Sequence, residues 1–383
     1  MTARMSRRSL LKSSTMALGA GVLSVGCDAL PASASQRLIH LNLNENAFGP
    51  SPLVAKAIQS QLGRISRYAD TASVEAFAEQ IAAYERVPVE QIVLGEILGA
   101  LGLYLGRQGG PGGEFVYSTP GYLALVDAAS RVGGVGVSVP LDKEYKNDLH
   151  ELSARVTSKT RALYIINPHN PTGTINDDAS FKSFLREVSQ RAPAIVDEAY
   201  LEYTNDFEKR STVSLVRDGA NVLVFRTFDK IHGLAGLPIG YSIVPRELMN
   251  ALRKEGLGDA ESLGRLNIAS ASAALSDTAH VRQVRSIVAS ERGKWIAFLD
   301  SLKLRHTDTH TNFVFFDAGR PQQELARTLR QNGVDIGRTF TPYTNWARVT
   351  IGLPEENEIA QSKLRDMCRD AGIQKAIRSS IAP

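Results

Sequence analysis

Short apolar runs alternate with amphipathic segments along the first two thirds of the chain. The runs at 92–94, 114–118, 135–139, 162–166, 194–196, 222–225 and 240–244 are rich in Val, Ile, Leu and Ala, which is typical of buried strands. The segments at 53–62, 74–85, 96–106, 178–190 and 246–255, and one ending at Ser130, have helical spacing of apolar residues. This alternation predicts an α/β fold with a mostly parallel, seven-stranded sheet that is covered by helices.

The pattern changes after residue 256. A long helix is predicted at 280–302, followed by short strands at 312–316 and 348–351 and amphipathic helices at 322–332 and 356–370. We interpret this part as a smaller α+β domain. The predicted division of the chain is a leader at 1–34, an arm at 35–65, a large domain at 66–255 and a small domain at 256–383.

Composition narrows the class of protein. The chain has 383 residues, 43% hydrophobic and 22% charged, which is ordinary for a soluble globular protein. Its formal charge of +4 is concentrated in the leader, so no nucleic-acid surface is expected. The two cysteines, Cys27 and Cys368, cannot form a disulfide framework, and no cluster has metal-ligand spacing, so no metal is expected.

The amino terminus has the layout of an export signal. Residues 6–12 read Ser-Arg-Arg-Ser-Leu-Leu-Lys, an apolar stretch follows at 16–25, and 32–34 read Ala-Ser-Ala, a small-residue cleavage site. This pattern predicts a twin-arginine signal and a periplasmic or secreted protein without a membrane anchor. The alternatives are a disordered basic tail and lipidation at Cys27, which Ser24 disfavours.

Lys230 is the first candidate for chemistry. It follows the strand at 222–225 and precedes Gly233 and Gly236, with apolar residues on both sides. A lysine that loses part of its solvation there favours the neutral amine, which can form a Schiff base with an aldehyde. The alternative is a surface lysine in a glycine-rich loop.

Polar residues also follow the two strands before Lys230. Asn170 comes after the strand ending at 166, and Asp197 after the strand ending at 196. Open α/β sheets place ligands at such strand ends. A buried carboxylate such as Asp197 would keep a pyridine nitrogen protonated, Asn170 and Tyr200 would donate to a ring oxygen, and Tyr122 offers a face for stacking. Together these residues predict a pyridoxal phosphate site.

These motifs resemble the class I/II aminotransferases of the fold-type I pyridoxal phosphate family, above all the histidinol-phosphate aminotransferase branch. The resemblance extends over about 41–373. It rests on Asn-Glu-Asn-Ala-Phe-Gly-Pro at 44–50, Asn-Pro-Thr-Gly at 170–173, Asp-Glu-Ala-Tyr at 197–200, Thr-Phe-Asp-Lys at 227–230 with Gly-Leu-Ala-Gly-Leu at 233–237, and Arg348 in Trp-Ala-Arg-Val-Thr-Ile-Gly at 346–352.

The resemblance implies roles for individual residues. Lys230 would hold the cofactor and move the proton of the reaction, and Tyr68 would reach the cofactor phosphate of a neighbouring subunit in a homodimer. Arg348 would bind the substrate carboxylate, with Arg338 and Asn46 as further substrate contacts. The cofactor-binding residues are then Lys230, Asp197, Tyr200, Asn170, Tyr122, Tyr68, Ile97, Leu98 and Arg226.

Two departures from the family fall where the cofactor phosphate is expected. Asp229 stands where the family has Ser or Thr, and Pro238 stands where it has Arg. A carboxylate would repel a phosphate charge by roughly 4 kcal/mol at about 4 Å if the effective dielectric constant is near 20. The predicted compensation comes from Arg226, His232 and the backbone at 97–99.

The predicted function is transfer of an amino group between an amino acid and a 2-oxo acid. One alternative is a decarboxylase, racemase or lyase, since the same Schiff base serves all of these reactions. A second is a non-catalytic binding protein, which the departures at Asp229 and Pro238 would support. The sequence does not name the amino donor or acceptor.

Overall fold

The computed structural model describes residues 38–256 and 263–381. The predicted export signal and Cys27 lie outside these residues. Within them, no helix is both long and apolar enough to cross a membrane.

Strands and helices alternate over the first two thirds of the described chain. The strands are β1 (Ile39–Leu41), β2 (Ile92–Leu94), β3 (Glu114–Thr119), β4 (Val135–Pro140), β5 (Thr160–Ile166), β6 (Ala194–Asp197), β7 (Val222–Thr227), β8 (Gly240–Ile243), β9 (Phe313–Asp317), β10 (Val334–Ile336) and β11 (Trp346–Thr350). The helices are α1 (Pro52–Gln61), α2 (Thr71–Glu85), α3 (Leu98–Arg107), α4 (Ala124–Ser130), α5 (Leu149–Arg155), α6 (Asp178–Val188), α7 (Phe207–Arg210), α8 (Val213–Arg217), α9 (Arg246–Lys254), α10 (Arg265–Ser276), α11 (Thr278–Ser301), α12 (Gln322–Gln331) and α13 (Pro354–Ile381).

The central sheet has seven strands in the order β2-β8-β7-β6-β5-β3-β4. Strand β8 is antiparallel to both neighbours, and the other pairs are parallel. This confirms the predicted fold class. Because β5, β6 and β7 are adjacent and parallel, their carboxyl ends meet at one edge of the sheet, where a ligand site is expected.

The sheet is buried on both faces. Along β5, Leu163 and Ile165 belong to one apolar cluster, whereas Ala162, Tyr164 and Ile166 belong to another. Side chains alternate between the faces of a strand, so each cluster packs against one face. Burial on both faces explains why these strands are almost continuously apolar in sequence.

The last third of the chain forms a separate core that includes the start of the described chain. Strand β1 pairs in parallel with β10, and β9 pairs antiparallel with β11. Leu41 of β1 packs in one cluster with Trp295, Phe316 and Val349. The described residues from Leu38 onward belong to one compact unit, so the domain boundary at 256 stays a prediction.

Most predicted elements occur within a few residues of their expected bounds. The helix expected at 96–106 begins only at Leu98, because Gly95 has φ +111° and the N–H of Ile97 donates to the Gly95 carbonyl. This turn leaves Glu96 outside the helix. The sequence analysis missed strands β1 and β10, because a three-residue strand leaves little periodicity to detect. It also missed helices α5 and α10.

Candidate active site

A cavity of about 230 Å³ lies at the carboxyl ends of β5, β6 and β7. It is lined by Leu43, Asn44, Glu96, Tyr122, Ile166, Asn170, Asp197, Ala199, Tyr200, Phe225, Thr227, Asp229, Lys230, Arg338, Phe340 and Arg348. Seven of the predicted site residues therefore lie together. A larger cavity of about 460 Å³ beside Tyr84 contains none of them.

Asp197 is positioned to meet a cationic ring nitrogen. It is buried at the end of β6, where one carboxylate oxygen accepts a hydrogen bond from the Tyr164 hydroxyl at 3.0 Å and the other accepts from the N–H of Ala199 at 3.0 Å. Burial raises the pKa of Asp197 to about 6, while these hydrogen bonds and the charge of Lys230 act to lower it. A positive ring nitrogen would favour the ionised carboxylate further.

Two hydrogen-bond donors lie on another side of the pocket. The side-chain oxygen of Asn170 accepts from Nη1 of Arg348 at 2.7 Å, which leaves the Asn170 amide nitrogen as a donor. The hydroxyl oxygen of Tyr200 accepts from Nδ2 of Asn44 at 3.0 Å, which leaves the Tyr200 proton free to donate. Both donors could serve a ring oxygen, and their contact with the cofactor stays a prediction.

Asn44 is a site residue to which the sequence analysis gave no role. It is buried with φ +57°, and its N–H donates to the Thr350 hydroxyl at 3.0 Å. Its carbonyl oxygen accepts from Asn312. An asparagine in the arm could have been singled out because Asn tolerates a left-handed backbone. Tyr164 was also missed, although a tyrosine inside a buried strand usually needs a polar partner.

Arg348 is a buried cation at the rim of the pocket. Its Nη2 donates to the carbonyl of Asn42 at 2.8 Å, and the rings of Phe313 and Phe340 lie 5.5 and 5.1 Å from its guanidinium. Burial lowers its pKa to about 10. Among the described residues no carboxylate pairs with it, and its buried Nε has no hydrogen-bond partner. Arg338 lines the same rim against Phe340.

Arg226 does not contact the cofactor pocket, so its prediction was wrong. Successive side chains of β7 face opposite sides of the sheet, and Arg226 points away from Thr227. It is buried between Glu85 at 3.2 Å and Glu198 at 3.0 Å. His232, the other proposed compensation, lies 3.4 Å from Glu202. Neither side chain is available to a phosphate in the pocket.

Asn46 is a structural residue of the arm rather than a substrate contact. Its Nδ2 donates to the carbonyls of Gly49 and Ile231, and its Oδ1 accepts from the N–H of Phe48. These bonds use both ends of the amide. The prediction that Asn46 binds substrate is therefore corrected, and Asn44 occupies the pocket instead.

Four predicted cofactor-binding residues remain, namely Ile97, Leu98, Tyr122 and Tyr68. The side chains of Ile97 and Leu98 are buried in the core, so only their backbone could face a ligand. Tyr122 lines the pocket and is half exposed, as a stacking platform would be. Tyr68 is 85% exposed and lies outside the pocket of its own subunit, so its contact with a neighbouring subunit stays a prediction.

The donor set fits the ring of pyridoxal phosphate. A buried carboxylate, two ring-oxygen donors, an aromatic face and a lysine line one cavity. The remaining end of the cavity is acidic, because Glu96 and Asp229 lie there with the hydroxyl of Thr227. No arginine faces this end among the described residues that line the pocket, since Arg338 and Arg348 lie beside Phe340.

Comparison with known proteins identifies the family. Residues 36–364 match the family Aminotransferase class I and II. A histidinol-phosphate aminotransferase of Moorella thermoacetica is 35% identical over 338 residues, which cover 86% of this chain and 85% of that protein. An aromatic amino acid aminotransferase of Thermobifida fusca is 34% identical over 323 residues, which cover 84% of this chain and 88% of that protein.

A solved structure supports the same conclusion. The histidinol-phosphate aminotransferase of Sinorhizobium meliloti in complex with pyridoxal-5'-phosphate superimposes with a TM-score of 0.78 at 26% identity, covering 88% of this chain and 92% of that chain. The chain therefore belongs to the class I and II aminotransferase family and is a pyridoxal phosphate-dependent aminotransferase.

Proposed function

We propose that the amino donor is an α-amino acid whose carboxylate binds Arg348. The observation that carries this proposal is the buried guanidinium of Arg348, which has no carboxylate partner among the described residues. It donates a hydrogen bond to Asn170 and lines the same cavity as Lys230. Arginine recognises a carboxylate with two parallel hydrogen bonds, and the aromatic rings around it exclude water. A substrate carboxylate would therefore satisfy this buried charge.

The residues of the pocket divide the work of transamination. Pyridoxal phosphate, when bound, supplies an aldehyde that accepts the amino group and a ring that withdraws electrons from the α-carbon. Lys230 Nζ would take the proton from the α-carbon of the substrate and deliver it to the carbon of the cofactor aldehyde. Asp197 would keep its negative charge beside the ring nitrogen, while Asn170 and Tyr200 would donate to the ring oxygen. Arg348 would fix the substrate so that the α-proton faces Lys230.

We further infer that the donor has an aromatic or apolar side chain. Leu43 and Phe340 line the cavity and offer apolar surface, and the Phe340 ring lies 5.1 Å from the Arg348 guanidinium. The relative from Thermobifida fusca is named for aromatic amino acids. The second candidate donor is histidinol phosphate, for which several relatives are named, because Arg338 and Arg348 together could bind a phosphate group at the rim.

An assay with one acceptor and three donors tests this proposal. Purified protein with 2-oxoglutarate is offered phenylalanine, histidine or histidinol phosphate, and keto product is measured, with Lys230→Ala as the inactive control. We expect Arg348→Gln to raise KM for the amino acid about 100-fold, because the variant loses a charge-assisted bidentate contact with the substrate carboxylate. Arg348→Lys should recover only part of this loss, because lysine lacks the fork.

The matched control is Arg338→Gln at the same rim. If the amino acid is the donor, this variant should change its KM much less than Arg348→Gln does. Equal and large effects of both variants, with turnover of histidinol phosphate alone, would instead establish the phosphate donor. Keto product that forms without any acceptor would argue against transamination.

We also propose that the enzyme is exported. The twin-arginine pattern at 6–12 and the small-residue site at 32–34 support this localisation. The twin-arginine route carries folded proteins, which suits an enzyme that binds its cofactor before transport. Amino-terminal sequencing of the protein from a periplasmic fraction tests the proposal, and a chain that still begins at Met1 and stays in the cytoplasmic fraction would refute it.

A further inference from the structure

One end of the cofactor cavity is built from acidic and hydroxyl groups. The Thr227 hydroxyl donates to Oε1 of Glu96 at 2.7 Å, and the N–H of Asp229 donates to the same hydroxyl at 3.1 Å. Glu96 and Asp229 both line the cavity beside Lys230. The Glu96 carboxyl group and the Asp229 backbone N–H therefore meet at the Thr227 hydroxyl at the end of β7, and the Asp229 side chain lines the same cavity.

The chemistry of the cofactor assigns its phosphate to this end. On the pyridine ring, the hydroxyl and the phosphate-bearing carbon flank the aldehyde on opposite sides. Asn170 and Tyr200, linked to Arg348 and Asn44, form the donor set for the hydroxyl. The group on the other side of the aldehyde must then face the cluster that Glu96, Thr227 and Asp229 form.

The carboxyl groups of this cluster are poorly stabilised as anions. Oδ1 of Asp229 is buried and has no hydrogen-bond partner among the described residues. Burial raises the pKa of Asp229. Burial also raises the pKa of Glu96 to about 7; the hydrogen bond from Thr227 and the charge of Lys230 oppose this rise, and the charges of Asp229 and Asp197 add to it.

Glu96 lines the cofactor cavity and also a second, neighbouring pocket beside Pro238. The residue as a whole is exposed, but its carboxyl group packs against the backbone at Gly240, where a Cβ would lie 2.7 Å from Oε1. A ligand that fills the cofactor cavity would displace water on that side and desolvate the carboxyl group. The charged groups that act on Glu96 from the described elements are Asp229 and Lys230 after β7 and Asp197 after β6.

We propose that Glu96 binds the cofactor phosphate as a neutral carboxylic acid that donates a hydrogen bond, so that this enzyme takes up a proton when it binds pyridoxal phosphate. The inference rests on the assignment of the cofactor and of Lys230 as its attachment point. A carboxylic acid can donate to a phosphate oxygen, whereas a carboxylate can only accept and repel. Loss of the family's hydroxyl and arginine at Asp229 and Pro238 is thereby compensated by a proton.

The sign of the pH dependence follows from proton linkage. A group that is protonated in the complex and has a pKa of about 7 in the free protein is already protonated below that pH, so it does not weaken cofactor binding there. Above it, the apparent dissociation constant rises by up to about tenfold per pH unit, because a proton must be taken up with each cofactor molecule. Schiff base formation favours higher pH because it needs a neutral amine, so the two effects have opposite directions and can be separated.

The experiment measures cofactor binding rather than turnover. Pyridoxal phosphate is titrated into wild type and Glu96→Gln from pH 6 to 9 and followed by visible absorbance. Proton uptake is measured by calorimetry at pH 7.5 in two buffers of different ionisation enthalpy. Each protein is also prepared with Lys230→Ala, which removes Schiff base formation, and unphosphorylated pyridoxal serves as the ligand control.

We expect the wild type to take up about one proton and to bind about fivefold more weakly at pH 8 than at pH 7. Glu96→Gln keeps an N–H donor, so it should take up no proton, lose this pH dependence and bind more tightly than wild type at pH 8.5. Glu358→Gln, an exposed carboxylate on α13, should behave as the wild type. Pyridoxal should show none of these differences.

A second variant protects the test against misfolding of the first. Asp229→Ser removes one charge that raises the pKa of Glu96, so the midpoint of the pH dependence should move to lower pH while proton uptake remains. Identical pH profiles in wild type and Glu96→Gln, or no proton uptake by wild type, would overturn the proposal. Absence of binding by wild type at every pH would instead overturn the cofactor assignment.

Discussion

At the scale of single residues, the geometry of Asp197 depends on a tyrosine that never touches the cavity. Tyr164 is fully buried in β5, does not line the pocket, and donates its hydroxyl proton to Asp197. This hydrogen bond acts to lower the pKa of a carboxylate that burial raises. Tyr164 is thus a positioning residue, which orients the Asp197 carboxylate and would help to keep it ionised when a ring nitrogen is bound.

Replacement of Tyr164 by phenylalanine tests this role. Because the lost hydrogen bond stabilises the carboxylate, the pKa of Asp197 should rise, and the acidic limb of the kcat/KM profile should move to higher pH by about one unit. Near pH 6, kcat/KM should therefore fall about fivefold. The measurement is a pH–rate profile with a fixed donor and acceptor.

The matched control is Tyr203→Phe. The Tyr203 hydroxyl is also buried but has no hydrogen-bond partner among the described residues, so its removal should leave the pH profile unchanged. If Tyr164→Phe lowered kcat by the same factor at every pH, Tyr164 would serve packing alone.

At the scale of elements, strand alternation decides which neighbours of Lys230 reach the cavity. Phe225, Thr227 and Asp229 face it, whereas Arg226 faces the buried carboxylates on the other side of the sheet. The ion pairs of Arg226 with Glu85 and Glu198 are therefore part of the core. A sequence motif places Arg226 four residues before Lys230, but only the pleat shows that it points away.

A hydrogen bond and a close backbone approach join the arm to the loop after Lys230. Asn46 bonds to the carbonyl of Ile231, and Gly233 has φ +73° with space for no side chain. A Cβ on Gly233 would lie 2.7 Å from the carbonyl carbon of Gly49. This close approach holds Asn44, two residues before Asn46, against Tyr200.

Gly233→Ala should therefore destabilise the protein more than a positive φ alone predicts. We expect a loss of about 1–2 kcal/mol from the left-handed backbone and roughly 1–3 kcal/mol more from the forced separation of arm and loop. The measurement is urea unfolding of the cofactor-free protein.

Gly219→Ala provides the control for the backbone contribution. Gly219 has φ +82° but nothing within 4 Å of its added Cβ, so only the backbone cost should appear. Equal losses in the two variants would show that the arm can move away from Gly233 without cost.

At the scale of the whole molecule, residues from both ends of the chain complete the site. Strands β1 and β10 join the start of the described chain to its last third, and the Thr350 hydroxyl accepts from the N–H of Asn44 across 306 positions. Arg348 lies on β11 two residues earlier. The site is therefore assembled only when the small sheets have formed around the arm.

We propose that a second subunit adds Tyr68 to each site. Tyr68 is highly exposed and lies outside the pocket of its own subunit. In a homodimer, Tyr68→Phe should weaken pyridoxal phosphate binding about tenfold, because a hydrogen bond to a charged phosphate is lost. Sedimentation velocity measures the dimer, and absorbance titration measures the affinity.

A mixture of Tyr68→Phe and Lys230→Ala subunits distinguishes contact across the dimer from contact within a subunit. If Tyr68 acts across the interface, each hybrid dimer contains one intact site, and a randomised equal mixture should recover about a quarter of wild-type sites at limiting cofactor. If the mixture is no more active than its parts, Tyr68 does not serve the neighbouring site.

The sequence by itself determined the sheet and which of its strands are followed by the polar residues of the site. Apolar runs separated by helical segments predict parallel strands, and Asn170, Asp197 and Lys230 follow three of them. These signals are local, because a strand, its ending and the polar residue beyond it are adjacent in the chain. For the same reason, the cofactor and the amino-group transfer followed from the sequence motifs.

Only the tertiary structure decided how the site is completed. It brought Asn44 and Arg348 together from distant segments, directed Arg226 into the core, gave Asn46 a structural role and turned Glu96 out of its predicted helix into the cavity. The physical reason is that these outcomes depend on packing between elements and on the facing of side chains across a sheet. Neither is encoded in the periodicity of a single segment.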